Sequence, residues 1–142
     1  MAPALVRING DSPLMDPAVV DRGIGEYNGA GVDLVTNVRP RSFPKGHSVE
    51  VVSLAALQDA SRQELTADDR EHVTRFLYAN PDRYRIRNFA CERPLGHLQL
   101  SVDTPEDFSA FQCLIGSMSR SHVEYGLLEI VEMHAALQLP QS

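Results

Sequence analysis

The apolar residues of the chain fall into short runs separated by turn-forming residues. Residues 4–8 are an apolar stretch ended by Asn9-Gly10, the pattern of a short buried strand. Asp16-Pro17 reads as a helix cap followed by proline at the first helical position. Val20, Ile24 and Tyr27 then recur at helical spacing, and Asn28-Gly29-Ala30-Gly31 closes a helix of about three turns. Residues 33–37 predict a second strand, and the prolines and glycine of 38–46 exclude regular structure from the basic loop that follows. Val49-Glu-Val-Val52 predicts a third strand, with Ser53 capping a helix that carries Leu54, Leu57 and Ala60.

The second half continues the alternation. Thr66-Ala-Asp-Asp69 has the form of a capping box, opening a helix with Val73, Phe76 and Leu77 on one face and stopped by Asn80-Pro81. Residues 83–90 predict a strand with Tyr84, Ile86 and Asn88 sharing a face. Residues 98–102 predict another, with Leu98, Leu100 and Val102 alternating against Gln99 and Ser101. Thr104-Pro-Glu-Asp107 starts a helix with a threonine cap and acids in its first turn, directing Phe108, Phe111 and Ile115 to the core. Val123, Leu127, Ile130 and Leu137 predict a last amphipathic helix. Strands alternating with helices over 142 residues, without repeats or linkers, give one α/β domain spanning 1–142.

Composition narrows the functions. A net charge of −6, from 13 Lys+Arg against 19 Asp+Glu, supplies no basic field for nucleic acid or an anionic membrane surface. Any phosphate must be met by a few local cations or a metal. No apolar run approaches membrane-spanning length and no secretion signal is recognisable, so the expected location is cytoplasmic. Cys91 and Cys113 form no CxxC and read as reduced thiols without a function. Gly23, Gly25 and Gly29 do not have G-x-G-x-x-G spacing and are no phosphate motif.

Two carboxylates stand out. Asp11 and Asp103 each end a predicted strand and precede a helix begun with proline, so neighbouring strands would bring both to one sheet edge, where α/β folds bind ligands. Such a pair suits Mg²⁺, which takes one or two carboxylates together with substrate phosphates and waters, and no His/Cys cluster competes with that reading. The alternative is two local turns in which each aspartate serves as a cap.

The sequence also resembles a known family. Arg7-Ile-Asn-Gly-Asp-Ser-Pro-Leu-Met-Asp-Pro17, Arg39-Pro-Arg-Ser-Phe-Pro-Lys-Gly46 with Val49-Glu-Val51, Arg70-Glu-His-Val-Thr74 with Asn80-Pro81, and Ser101-Val-Asp-Thr-Pro-Glu-Asp-Phe108 occur in the order found in cytidylyltransferases of the spore coat polysaccharide type. These are related to the enzymes that activate sialic acid and KDO with CTP. The resemblance implies a Rossmann-like nucleotidyltransferase domain of the nucleotide-diphospho-sugar transferase type, with a mostly parallel sheet. It implies CTP and a sugar as substrates, an acidic sugar among the options, and a CMP-sugar for surface polysaccharide as product. By similarity Asp11 and Asp103 would be catalytic and hold Mg²⁺, while Arg39, Arg41, Lys45, Glu50, Arg70 and His72 would face substrate. A solvated basic loop, a helix-surface ion pair and a core histidine are the plain alternatives for the loop cations, Arg70 and His72.

The match has gaps. Family members begin with a strand and a loop of the form Leu-Ala-Ala-Arg followed by Gly-Lys, which binds the nucleotide. Nothing like it precedes the Gly-Asp-Ser-Pro motif, so the expectation is a truncated domain, the C-terminal portion of the fold. Ser48 also stands where the family usually has Asp before Val-Glu-Val. A truncated sheet would leave the strand at 4–9 with an open edge, to be covered by a homodimer or a complementing chain. The competing functions are therefore a cytidylyltransferase, incomplete here, and a non-catalytic sugar- or metal-binding assembly module that needs a partner chain.

Overall fold

A computed structural model describes residues 3–28 and 30–138. The chain runs β1 (Ala4–Arg7), α1 (Pro17–Asn28), β2 (Leu34–Thr36), β3 (Glu50–Ser53), α2 (Leu54–Ser61), α3 (Ala67–Glu71), α4 (Arg75–Ala79), β4 (Ile86–Asn88), α5 (Pro105–Gly116), a 3₁₀ turn (His122–Glu124) and α6 (Leu127–Gln138). Local signals placed most of these boundaries. The Asp16 carboxylate caps α1 by accepting from Ala18 N–H at 2.8 Å, and Ser53 caps α2 by accepting from Ala56 N–H at 3.0 Å. Thr66 and Thr104 each close a reciprocal capping box, with Asp69 and Asp107 respectively. Gly31 takes a positive φ of 58° after α1, while Gly29 of the predicted closing motif lies outside the described residues.

The four strands form one sheet in the order β1-β3-β2-β4. The architecture is mixed α/β as expected, but the sheet is not mostly parallel. β3 is antiparallel to both β1 and β2, and β2 with β4 is the parallel pair. The reason is the connection between β2 and β3: residues 37–49 carry no crossover helix, so the chain returns antiparallel, whereas α2 to α4 separate β2 from β4. One face of the sheet packs Val35, Val49 and Val51 against α1, α5 and α6, with Phe43, Phe89, Leu100 and Tyr125 in the same core. The other packs Leu34 and Val52 against Ala56, Leu77 and Tyr84. No helix among the described residues is long and apolar enough to cross a membrane.

Three local expectations differ from the structure. Residues 98–102 are extended but lie outside the sheet: Lys45 N–H donates to Leu98 O at 3.0 Å and Leu100 N–H to Lys45 O at 2.9 Å, a bridge between two connecting segments. The helix expected after Thr66 is broken at His72, whose φ of −105° and ψ of 81° are not helical. The break lets Thr74 turn inward to Glu50, and Val73 is left exposed. On α5 the buried residue is Leu114, while Phe108 faces outward; in the last segment Val123 and Leu137 are exposed as well.

Candidate active site

The register of the sheet aligns Arg7 with Glu50, Glu50 with Thr36, and Thr36 with Asn88, so one end of the sheet is a row of polar residues. The loop bearing Asp11 leaves β1 at that end, and the basic loop leaves β2 there. Asp16, whose second oxygen accepts from Leu127 N–H at 2.7 Å, ties the Asp11 loop to the start of α6. Val102 N–H donates to Asp11 O at 2.8 Å, which draws the segment ending in Asp103 alongside. Asp11 and Asp103 thus meet, as expected, although one of them follows a loop segment instead of a sheet strand.

Both carboxylates line a cavity of about 180 Å³ that also takes Arg41, Lys45, Ser12, Ser48 and Ser101. Ser101 Oγ donates to Asp103 Oδ2 at 3.0 Å, and Gln99 Nε2 donates to the same oxygen at 2.8 Å and to Ser101 Oγ at 2.7 Å. These bonds hold the Asp103 carboxyl below the usual carboxylate range, Ser101 first and Gln99 next, with the Lys45 charge adding to them. Ser12 Oγ donates to Asp11 Oδ1 at 3.0 Å. Arg41 donates to the Ser48 hydroxyl at 3.1 Å and the Pro44 carbonyl at 3.4 Å, both neutral. None of the ion pairs among the described residues includes Asp11, Asp103, Arg41 or Lys45. Two carboxylates and two cations therefore share a cleft without neutralising each other directly.

The donor set fits a hard divalent cation of the magnesium kind. Two oxygens of charged ligands are enough for Mg²⁺ when phosphate and water complete its shell, and the Asp103 carboxyl is held ionised. The described residues gather no third His, Cys, Asp or Glu into such a group.

The other expected substrate contacts fall elsewhere. Glu50 is 4% exposed and bonded on all sides: Arg7 donates at 2.6 Å, Thr74 Oγ1 at 2.9 Å, and Tyr78 Oη at 2.5 Å. Tyr78 Oη also lies 2.6 Å from Thr36 Oγ1, and burial and the Glu50 charge push its phenol up. Arg39 is exposed, its guanidinium 4.3 Å above the Tyr78 ring. Arg70 and His72 are exposed at the end of α3 and line no part of the cavity. His47 is fully buried, and neither ring nitrogen has hydrogen-bond geometry with any described group. Burial lowers its pKa from 6.5 to about 4 despite the nearby Asp16 carboxylate and Leu14 carbonyl.

Several site residues were not singled out from the sequence. Gln99 and Ser101 alternate with Asp103 in an extended segment, so their common face was readable from a period of two. Thr74 and Tyr78 reach Glu50 only through tertiary packing; Thr74 lies in the Arg70-Glu-His-Val-Thr74 motif, but nothing local points it to Glu50, and nothing local marks Tyr78.

No protein-family model matches the sequence. The chain is 32% identical over 113 residues to the spore coat polysaccharide biosynthesis protein SpsF of Bacillus subtilis, covering 78% of this chain and 46% of that protein. Its fold matches the structure of a cytidylyltransferase from Leptospira borgpetersenii with a TM-score of 0.86, at 23% identity, over 98% of this chain and 60% of that one. The chain belongs to the cytidylyltransferase family. An uncharacterized protein of Methanocaldococcus jannaschii is 30% identical over 111 residues, 75% of this chain and 44% of that protein. This cytidylyltransferase-family chain thus spans about half the length of the curated relatives it matches, and its architecture is the Rossmann-like one of the solved cytidylyltransferase.

Proposed function

We propose that this chain carries the metal- and sugar-facing part of a CTP-dependent sugar cytidylyltransferase. Its product would be a CMP-sugar for surface polysaccharide. The observation that carries the reading is the meeting of Asp11 and Asp103, 92 positions apart, in one cleft with Arg41 and Lys45. In the reaction a sugar oxygen bonds to the α-phosphorus of CTP as the bond to pyrophosphate breaks, and catalysis is mainly positioning and charge stabilisation. Asp11 and Asp103 would hold Mg²⁺, which supplies charge neutralisation to phosphate oxygens. Arg41 presents a fork suited to a carboxylate or phosphate, Lys45 a point charge, and the serine hydroxyls orient both carboxylates.

Isothermal calorimetry with Mg²⁺ and pyrophosphate, or Mg²⁺ and CTP, tests this. Wild type should bind, and Asp11→Asn and Asp103→Asn should each weaken binding roughly tenfold or more. Binding unaffected by both substitutions would refute the shared site.

A second reading is favoured by one observation: β1 is an edge strand on which Leu5 is 52% exposed and Val6 43% exposed. Under it the chain binds sugar or metal without turnover and works in an assembly, its open edge covered by a second copy or a complementing chain. Pyrophosphate release from CTP with a panel of acidic sugars separates the two. Turnover by the chain alone favours the first reading, and binding without turnover the second.

A further inference from the structure

Asn37 directly follows β2 and is 0% exposed. Both functions of its carboxamide are used outside the strand ladder. Nδ2 donates to the His47 carbonyl at 2.7 Å, and Oδ1 accepts from Val49 N–H at 2.9 Å. The two partners flank Ser48, which lines the cavity and receives the Arg41 guanidinium. His47 N–H in turn donates to Pro44 O at 3.1 Å, closing the turn that presents Lys45. Among the described residues, the side chains that hydrogen-bond the backbone of 44–49 are Arg41, from the same loop, and Asn37, from the end of a strand.

We propose that Asn37 is a positioning residue for the cationic side of the cleft: by bracketing Ser48 it fixes the direction of Arg41 and the placement of Lys45 opposite Asp11 and Asp103. The inference rests on the function proposed above, in which those cations meet an anionic ligand. The chemistry requires an amide. A carboxylate cannot donate to the His47 carbonyl, and a shorter side chain cannot reach two backbone groups two residues apart in sequence. Anchoring on β2 matters because a loop holds charged groups in place only as firmly as the element that supports it.

Amide hydrogen exchange on the full chain tests the proposal without any ligand. Asn37→Ala removes both bonds, and Asn37→Asp keeps the acceptor while losing the donor. In Asn37→Ala the amides of Val49, Lys45 and Leu100 should exchange roughly tenfold faster or more, while Val51 and Val52 in β3 keep wild-type protection. In Asn37→Asp, Lys45 and Leu100 should still be released. Affinity for pyrophosphate with Mg²⁺ should fall in both. Wild-type exchange at Lys45 and Leu100 in either folded variant overturns the proposal. So does acceleration of all these amides together with Val51 and Val52, because that marks a general loss of stability. If neither variant folds, Asn37 belongs to the fold and not to the site, and the proposal fails. A wild type that does not bind pyrophosphate counts against the proposed function alone, since the exchange pattern is read without ligand.

Discussion

Gly46 joins the fold to the cleft, and Gly46→Ala should disable the cleft more than it destabilises the protein. The residue has a φ of +99°, and an added Cβ would sit 2.6 Å from the Leu100 carbonyl carbon, 2.7 Å from Ser101 N and 2.8 Å from Leu100 O. All three are backbone atoms. Reaching ordinary contact at 3.4 Å requires the two segments to part by about 0.8 Å, the difference between 3.4 and 2.6. That movement strains the bonds Lys45 N–H to Leu98 O and Leu100 N–H to Lys45 O. Two weakened backbone bonds at about 1 kcal/mol each, and backbone strain of about 1–3 kcal/mol, give roughly 3–5 kcal/mol. Residues 98–102 lie outside the sheet, so separation of that segment relieves the cost locally. The melting temperature should then fall by less than the roughly 10–17 °C that a fully global cost would produce at this chain length. Asp103, carried at the end of the displaced segment, would leave Asp11. A competent population reduced by about 2 kcal/mol weakens binding of pyrophosphate with Mg²⁺ by roughly 30-fold. Differential scanning calorimetry and binding calorimetry on the same preparation measure both quantities. Wild-type affinity in a folded Gly46→Ala protein would refute the idea that the Gly46–Leu100 approach places Asp103.

Tyr78→Phe removes one hydroxyl from Glu50 and Thr36 and should cost about 1.5–3 kcal/mol in urea unfolding, with binding at the cleft unchanged because Tyr78 does not line it; a loss under about 0.5 kcal/mol would contradict the buried network. His47 titrates near 4 in the folded chain against 6.5 ordinarily, so the unfolded chain takes up its proton first as pH falls. Its contribution is complete above pH 6.5 and is lost between 6.5 and 4, about 3 kcal/mol in all. His47→Leu should flatten that part of the stability profile in urea unfolding followed from pH 7 to 4, and an unchanged slope would contradict a histidine buried neutral. At the open edge, Pro3 O accepts from Leu54 N–H, so by antiparallel alternation Ala4 and Val6 point their backbone groups away from β3. Val6→Pro should abolish self-association measured by light scattering while circular dichroism stays unchanged; a wild type that stays monomeric well above micromolar concentration removes the homodimer.

Most elements were legible because their signals are local. Asp16-Pro17, Ser53, Thr66 with Asp69, and Thr104 with Asp107 satisfy orphan N–H groups within four residues, and each marks its helix start in the sequence. The order of four motifs brought Asp11 and Asp103 forward, and they share a cavity with Arg41 and Lys45. What escaped is what depends on partners far along the chain. The alternation in 98–102 signals extended backbone, but its partners are Lys45 and Asp11 in connecting loops, so the pattern could not distinguish a sheet strand from a bridged segment. The break before Thr74 is set by Glu50, 24 positions away, and overrides a helical periodicity that Val73 and Phe76 appeared to continue. The mostly parallel sheet was what the family resemblance implied, and the helix-free 37–49 connection makes the pairing of β2 with β3 antiparallel instead.

The separation of the named residues into two groups has a structural logic. Glu50 is buried and carries a charge that desolvation makes costly to hold, so its three donors serve mainly to satisfy it; a buried ion pair adds little net stability. Those donors come from two parts of the fold: Arg7 ends β1, while Thr74 precedes α4 and Tyr78 lies on it. Removing Glu50 would therefore release β1 at the residue from which the Asp11 loop departs. It would also release Tyr78, the surface on which Arg39 lies and the partner of Thr36, from which the basic loop departs. The carboxylate that sequence resemblance assigns to substrate thus sits beneath both loops of the cleft. Its geometry holds the ends of β1 and β2 in register, so the placement of Asp11 and the direction of the basic loop are referred to one buried carboxylate.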